Sequence, residues 1–194
     1  MRIISGKYRG RNLKSPPSLG VRPTSDRLRE TLFNVLAPRI QGTRFLDLCA
    51  GSGAVGIEAL SRDASHVTFV DRSRKMCGLV EANLDLTGVP EEETEVVQSE
   101  AAEFLRHVAK KSANHKATGP WDLVFFDPPY ATDYDSVLEL FGVHTESLLS
   151  DNGLVVVEHH HKKELPETVG TLRRTRVLKQ GDSSLSFFSV TSDK

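Results

Sequence analysis

The stretch Phe45-Leu46-Asp47-Leu48-Cys49-Ala50-Gly51-Ser52-Gly53-Ala54-Val55-Gly56 runs from a short apolar strand through a glycine-rich turn into a helical pattern carried by Val55, Ile57, Ala59 and Leu60. Few folds accommodate that order. Glycines let the backbone turn tightly and approach a ligand, and the N-terminus of the following helix stands behind the turn. Gly51, Gly53 and Gly56 keep the G-x-G-x-x-G spacing of dinucleotide sites, and Asp71 closes the next apolar run, His66 to Val70. An acidic residue at that distance suits the ribose hydroxyls of NAD, FAD or S-adenosylmethionine alike.

The remaining periodicity extends the same pattern. Strands are expected at Arg44 to Leu48, Val67 to Val70, Glu95 to Gln98, Leu123 to Phe126 and Leu154 to Glu158. Helices are expected near Gly56 to Ser61, Ser73 to Leu86, Ala101 to Lys110 and Asp135 to Leu149. Such alternation makes a parallel sheet covered on both faces. Ahead of it, Thr24 or Ser25 caps a helix whose buried face is Leu28, Leu32, Phe33, Val35 and Leu36, and which stops at Pro38. Behind it, Thr171 to Lys179 and Ser184 to Val190 flank Gln180-Gly181-Asp182-Ser183, a hairpin signal that adds antiparallel strands at one edge.

Two features bear on chemistry. Asp47 stands just ahead of the glycines, where it would repel a pyrophosphate and favour a sulfonium cofactor; the simpler role is to brace the loop through hydrogen bonds to its backbone. Asp127-Pro128-Pro129-Tyr130 follows the apolar run Leu123-Val124-Phe125-Phe126. Such a strand end offers a carboxylate, a carbonyl with no competing backbone pair and an aromatic face, a set that suits a planar exocyclic amine. The same four residues could equally form an ordinary turn.

Charge adds a partner. Eight cations in the first 30 residues, among them Arg2, Lys7, Arg9, Arg11, Lys14 and Arg22, face only Asp26 and Glu30, an excess of six that leaves the rest of the chain at −7 for a total of −1. A basic arm on an acidic body is the footprint of a phosphate-binding extension, with Tyr8 available for close contact. At 194 residues the chain supports one domain with a substantial core. No apolar run approaches the ~20 residues that cross a bilayer, and the polar start is no signal peptide, so a cytoplasmic protein with no membrane partner is expected. Cys49 and Cys77 fit reduced thiols. Adjacent His159, His160 and His161 lack spaced metal partners and read as solvated or RNA-facing, so no metal is expected.

Together, the Asp-Leu-Cys-Ala-Gly-Ser-Gly turn, Asp71 and Asp127-Pro128-Pro129-Tyr130 resemble the class I S-adenosylmethionine methyltransferases that modify exocyclic amines. Met1 to Arg11 and Arg22-Pro23-Thr24-Ser25-Asp26-Arg27 narrow this to a resemblance to the RsmD family, which methylates N2 of a guanine in bacterial 16S ribosomal RNA. It covers Met1 to about Val190; Glu100 stands where the family usually has Asp, and Lys110 to Gly119 is longer than usual.

The resemblance implies an α/β, Rossmann-like class I methyltransferase fold with a mostly parallel seven-stranded sheet and a C-terminal antiparallel hairpin. It implies residues 1–22 as a basic, RNA-contacting β-hairpin, 23–190 as the methyltransferase domain and 191–194 as a disordered tail. Cofactor contacts are expected at Asp47, Ala50, Gly51, Ser52, Gly53, Asp71, Arg72, Glu100, Ala101 and Asp127, and catalysis at Asp127, Pro128, Pro129 and Tyr130. Arg2, Lys7, Tyr8, Arg9, Arg11, Lys14 and Arg22 would bind RNA, Glu158 would line the cleft, and Asn83 would bond a neighbouring loop. The expected partner is 16S ribosomal RNA in an assembling small subunit, met by a monomer. Other amino acceptors (another RNA, DNA adenine or protein glutamine), a non-catalytic RNA-binding assembly factor and an NAD-dependent oxidoreductase are the alternatives.

Overall fold

A computed structural model of the chain describes residues 1–16, 25–111, 119–129 and 133–191. Arg22, Thr24, Tyr130, most of the polar connection after Lys110 and the last three residues lie outside them. The chain divides into two compact units, Met1–Ser99 and the remainder from Glu100 onward.

In the first unit, α1 (Asp26–Leu36) is capped by Ser25, whose Oγ accepts from the Leu28 amide at 3.1 Å. Thus Ser25 fills the expected cap position, and it satisfies one of the amides a helix start leaves unpaired. Three parallel strands follow in the order β3-β2-β1: β1 (Arg44–Leu48), β2 (His66–Asp71) and β3 (Thr94–Gln98). Phe45 lies opposite Val67, and Val67 opposite Thr94. The crossovers are α2 (Ala54–Ser61) and α3 (Arg74–Thr87). Every residue of α2 is buried, and Gly56 permits it: a Cβ there would stand 2.3 Å from the Phe69 ring.

One residue of α2 is out of character with its apolar neighbours. Glu58 is wholly buried and accepts from the amides of Ile4 (2.8 Å) and Ser5 (3.0 Å) and from Nε of Arg62 (2.8 Å). Nε of Arg29, itself wholly buried, approaches it to 4.0 Å. Arg29 also donates to the Arg2 carbonyl (2.6 Å) and to Asp26 (3.0 Å), and burial lowers its pKa, only partly opposed by Glu58. Arg29 therefore belongs to the inner face of α1, while Val35, expected there, is half-buried.

These charges hold the N-terminal segment. Residues 1–16 pair briefly, the antiparallel Arg2–Asn12 bridge being flanked by hydrogen bonds from the Ile3 amide to the Arg11 carbonyl (3.0 Å) and from the Leu13 amide to the Met1 carbonyl (2.9 Å), and they bury Ile3, Tyr8 and Leu13. Gly6, at φ +82°, lies so close to the Ser61 carbonyl that a Cβ would overlap it, and the Lys7 amide donates to that carbonyl at 2.8 Å. The amides of Ile4, Ser5, Lys7 and Tyr8 are given to Glu58 and Ser61, which is why the pairing stays short.

The second unit holds α4 (Ala101–Lys110), β4 (Trp121–Phe126), α5 (Tyr134–Val143), α6 (Thr145–Leu148) and then β5 (Leu149–His160), β6 (Thr168–Val169), β7 (Leu172–Gln180) and β8 (Ser183–Val190). Its strand order is β4-β5-β8-β7-β6, with β4 and β5 parallel and the rest antiparallel. All seven expected strands occur among the described residues; the two-residue β6 is additional. The single helix expected over 135–149 is broken at His144. There the Gly142 carbonyl accepts from the Thr171 amide (3.3 Å), and the Gly142 Cα packs so tightly on Val169 that a Cβ would stand 2.3 Å from its carbonyl. The hairpin turn falls at Gly181-Asp182, as expected, with Gln180 opposite Ser183.

Removing one partner of a buried ion pair typically costs about 3–5 kcal/mol, because the other charge stays buried without compensation. Glu58→Ala is therefore expected to lower the unfolding free energy by that order and to expose residues 1–16 to proteolysis. Denaturant titration and limited digestion check both effects.

Candidate active site

The glycine turn is held from behind by two carboxylates at strand ends. Oδ2 of Asp71 accepts from the Gly51 amide (2.9 Å), and Oδ1 accepts from Ser73 (2.8 Å). Oδ2 of Asp47 accepts from the Gly56 amide (2.9 Å) in the first turns of α2. Between them Cys49 has φ +64°, and Gly53, capping α2, has φ +76°. A non-glycine residue held in the left-handed region is a common mark of a functional turn. A Cβ at Gly51 would meet nothing within 4 Å, so the outer side of the turn is open.

Asp47 performs the bracing role. It is 2% exposed, and its pKa is pushed up to about 7, first by burial and further by the nearby Asp71 charge, against the Gly56 hydrogen bond that lowers it. Asp71 is half-buried and uses one lone pair on each oxygen, which leaves acceptor capacity for a diol. Ala50 is half-buried, Ser52 buried and Arg72 exposed. The residues at hand therefore fit an adenosine-bearing cofactor: an open glycine turn with an acidic acceptor at its edge.

In the second unit, Asp127-Pro128-Pro129 leaves the end of β4 with Asp127 half-buried, Pro128 buried and Pro129 exposed. Phe126 pairs with Val157, so Asp127, just past the end of β4, stands level with Glu158 in β5. Oε1 of Glu158 accepts from the Ser183 hydroxyl (3.1 Å), which ties that level to the hairpin turn. Beyond the motif, Asp133 caps α5, and Tyr134 packs edge-on against Phe126 (6.0 Å between ring centroids). The start of α5 is thereby tied to β4. Glu100 is the exposed residue preceding α4, and Ala101 is buried within its first turn.

The expected RNA contacts separate into two kinds. Arg2 and Arg9 are exposed and, with Arg27, Asp26 and Glu30, line a groove of about 520 Å³. Lys7 pairs with Glu93 (3.3 Å), Arg11 donates to the Thr87 carbonyl, and both cations lie about 5 Å from the Tyr8 ring centroid. Tyr8, expected to contact RNA, is 8% exposed and packs against those cations. The histidine run, expected to be solvated, is not solvated throughout. His159 is a core residue, 5% exposed, with Nε2 2.8 Å from the Ser186 hydroxyl and its pKa lowered by burial, because strand alternation turns it inward with Val155 and Val157. His160 and His161 do not diverge. Their rings stack with centroids 4.5 Å apart, and potential ligand atoms of both lie with one of Asp182 within 4.8 Å.

Sequence inspection missed Glu58 and Arg29. The signal was present, since a carboxylate inside Ala54-Val55-Gly56-Ile57-Glu58-Ala59-Leu60 has to be paired.

The strand–turn–helix with its two bracing carboxylates and the Asp-Pro-Pro strand end define a class I S-adenosylmethionine-dependent methyltransferase. Residues 1–189 match the family model described as "Conserved hypothetical protein 95". The chain belongs to that family, the RsmD family. It is 39% identical over 176 residues to "Putative rRNA methyltransferase YlbH" of Bacillus subtilis, covering 91% of each chain. It is 41% identical over 172 residues to "Ribosomal RNA small subunit methyltransferase D" of Escherichia coli K12, covering 86% of this chain and 78% of that one. The solved structure "Putative methyltransferase yhhF from Escherichia coli" superposes with a TM-score of 0.80 at 36% identity, over 98% of this chain and 97% of the other. No helix among the described residues is long and apolar enough to cross a membrane.

The protonation of Asp47 makes a measurable prediction. Its folded pKa of about 7 lies above the ordinary 3.8, so between those values the folded chain binds more protons than the unfolded one, and stability falls as pH rises through that window. Asp47→Asn keeps an acceptor for Gly56 and removes the titration. The variant is expected to gain stability over the parent above pH 7, by a few kcal/mol at about 1.4 kcal/mol per pKa unit, and to lose that advantage near pH 4. Thermal melts from pH 4 to 8 measure the difference.

Proposed function

We propose that the protein transfers a methyl group from S-adenosylmethionine to the exocyclic N2 of a guanine in 16S ribosomal RNA. The observation that carries this most directly is the Asp127-Pro128-Pro129-Tyr130 strand end in a chain 41% identical to a small-subunit RNA methyltransferase across most of its length. When bound, the cofactor supplies a methyl group already activated by its positively charged sulfur. The chain's own residues have to hold it and prepare the nitrogen.

Asp71 receives the ribose hydroxyls, Gly51 to Gly53 admit the amino-acid end, and Glu100 with the Ala101 backbone takes the adenine amine. The guanine N2 lone pair is delocalised into the ring and is a poor nucleophile. Asp127 and the Pro128 carbonyl accept its two protons as hydrogen bonds, which draws the nitrogen toward tetrahedral geometry and frees the lone pair for attack. The nitrogen would gain the methyl as the sulfur–methyl bond breaks and its electron pair returns to sulfur, leaving neutral S-adenosylhomocysteine, and would release one proton, to Asp127 or to water. Orientation matters greatly here, since well-placed reactants can gain about 7–11 kcal/mol in effective molarity. Tyr130 stacks on the base after it leaves its own stack.

The exposed cations Arg2, Arg9 and Lys14, together with Arg22, contact phosphates flanking the target base, while Lys7 and Arg11 stiffen the segment that carries them. The enzyme works as a monomer in the cytoplasm on an assembling small subunit, where the base is still accessible.

Labelled cofactor, the protein and small subunits from a strain lacking it are expected to yield label at one guanine N2 on mapping. Label on DNA adenine or on a protein glutamine would replace the substrate assignment. Tyr130→Ala is expected to keep S-adenosylhomocysteine affinity while kcat/KM for the subunit falls roughly 5- to 150-fold, the equivalent of ~1–3 kcal/mol of stacking.

A further inference from the structure

Asn83 sits on α3, wholly buried, and its side chain joins two segments remote in sequence. Oδ1 accepts from the Lys14 amide (2.8 Å), and Nδ2 donates to the Lys14 carbonyl (3.1 Å), a reciprocal pair like a rung of a sheet. The second Nδ2 proton goes to the carbonyl of Ser52 (2.9 Å), the central residue of the cofactor turn. An asparagine that merely pinned the N-terminal segment would be satisfied by Lys14. This one spends its remaining donor on the turn.

Nearby contacts tie the same two segments together. The Ser52 hydroxyl lies 3.8 Å from Sδ of Met1, and the Met1 carbonyl accepts from the Leu13 amide (2.9 Å). One turn further along α3, the Thr87 hydroxyl donates to the Asn83 carbonyl (2.8 Å), while the Thr87 carbonyl accepts from Arg11. Were Met1–Lys14 to lift away, Asn83 would lose two of its three hydrogen bonds inside a buried site, and its hold on Ser52 would loosen. A buried amide is costly to leave unpaired, so the docked segment and the shaped turn support each other.

We infer that Asn83 is a positioning residue that couples docking of the cationic N-terminal segment to cofactor binding: an occupied turn favours the docked segment, and a docked segment favours the cofactor. Linkage makes the two effects equal in size. Resting on the proposed function, this means that phosphates engaging the segment would tighten cofactor binding, and that cofactor would prepare the segment for RNA.

The test uses the full chain without RNA and S-adenosylhomocysteine as the probe. Calorimetry gives its Kd, and amide hydrogen exchange follows residues 1–14 with and without it. In the wild type, the ligand is expected to slow exchange in that segment. Asn83→Ala is expected to weaken binding at least fivefold, the lower end of usual inter-site coupling, and to abolish the slowing. Lys14→Pro deletes the amide that donates to Oδ1 while leaving α3 untouched, and is expected to act in the same direction; it carries the test if Asn83→Ala fails to fold. A merely structural asparagine would lower the melting temperature of the variants without moving Kd. Kd within twofold of wild type in folded Asn83→Ala and Lys14→Pro, or wild-type exchange indifferent to the ligand, would overturn the coupling and leave the methyltransferase assignment standing. Methylation of a different acceptor would remove the guanine assignment and leave the coupling intact.

Discussion

Two carboxylates at the ends of adjacent parallel strands, Asp47 on β1 and Asp71 on β2, accept from Gly56 and Gly51 and so hold the glycine turn between them. Each solves a different problem. Gly56 already belongs to α2, so Asp47 ties the helix start to the strand that leads into it; Asp71 ties the turn itself to the neighbouring strand. With the turn pinned at both points, Cys49 and Gly53 can stay at positive φ, and the open side of Gly51 is held in place. The cost is concentrated in Asp47, whose burial opposes ionisation.

A second buried carboxylate settles the fate of the N-terminal segment. Glu58 collects two backbone amides of that segment together with Arg62 and the approaching Arg29. A segment carrying a large excess of positive charge would ordinarily be expelled to solvent. Here its backbone is drawn in while most of its cations stay out: Ile3, Tyr8 and Leu13 are buried, whereas Arg2, Arg9 and Lys14 remain exposed. That division gives a rigid cationic surface rather than a loose tail, so less ordering entropy has to be offset when a polyanion binds.

Much of this was legible in the sequence because it rests on periodicity and turn chemistry. The seven strands, the helix at Ala101–Lys110 and the Gly181-Asp182 hairpin all follow local rules that each segment obeys by itself. What was not legible depends on packing between segments. The helix break at His144 comes from Gly142 meeting Val169, some 27 residues on, and nothing in 135–149 signals it. The basic segment pairs only briefly, residues 1–3 with 11–13, because the amides of Ile4, Ser5 and Tyr8 are claimed by Glu58 and Ser61, again from a distance. His159 was misjudged for a simpler reason: three like residues in a row disguise the alternation that turns the first one inward.

At the site, residue types were readable and their working relations were not. Asp47 and Asp71 could be selected from the sequence, but their division of labour, one brace and one acceptor with spare lone pairs, needed the geometry. Asn83 shows the same limit. The sequence suggests that it bonds one neighbouring loop; wholly buried, it becomes the point where Lys14 and Ser52 meet. A side chain with one acceptor and two donors can join two segments at once only if both are in place together. The amide thereby converts two local arrangements, a turn and a docked segment, into one cooperative unit, and cooperativity of that kind is what lets occupancy of the turn be felt at the cationic surface.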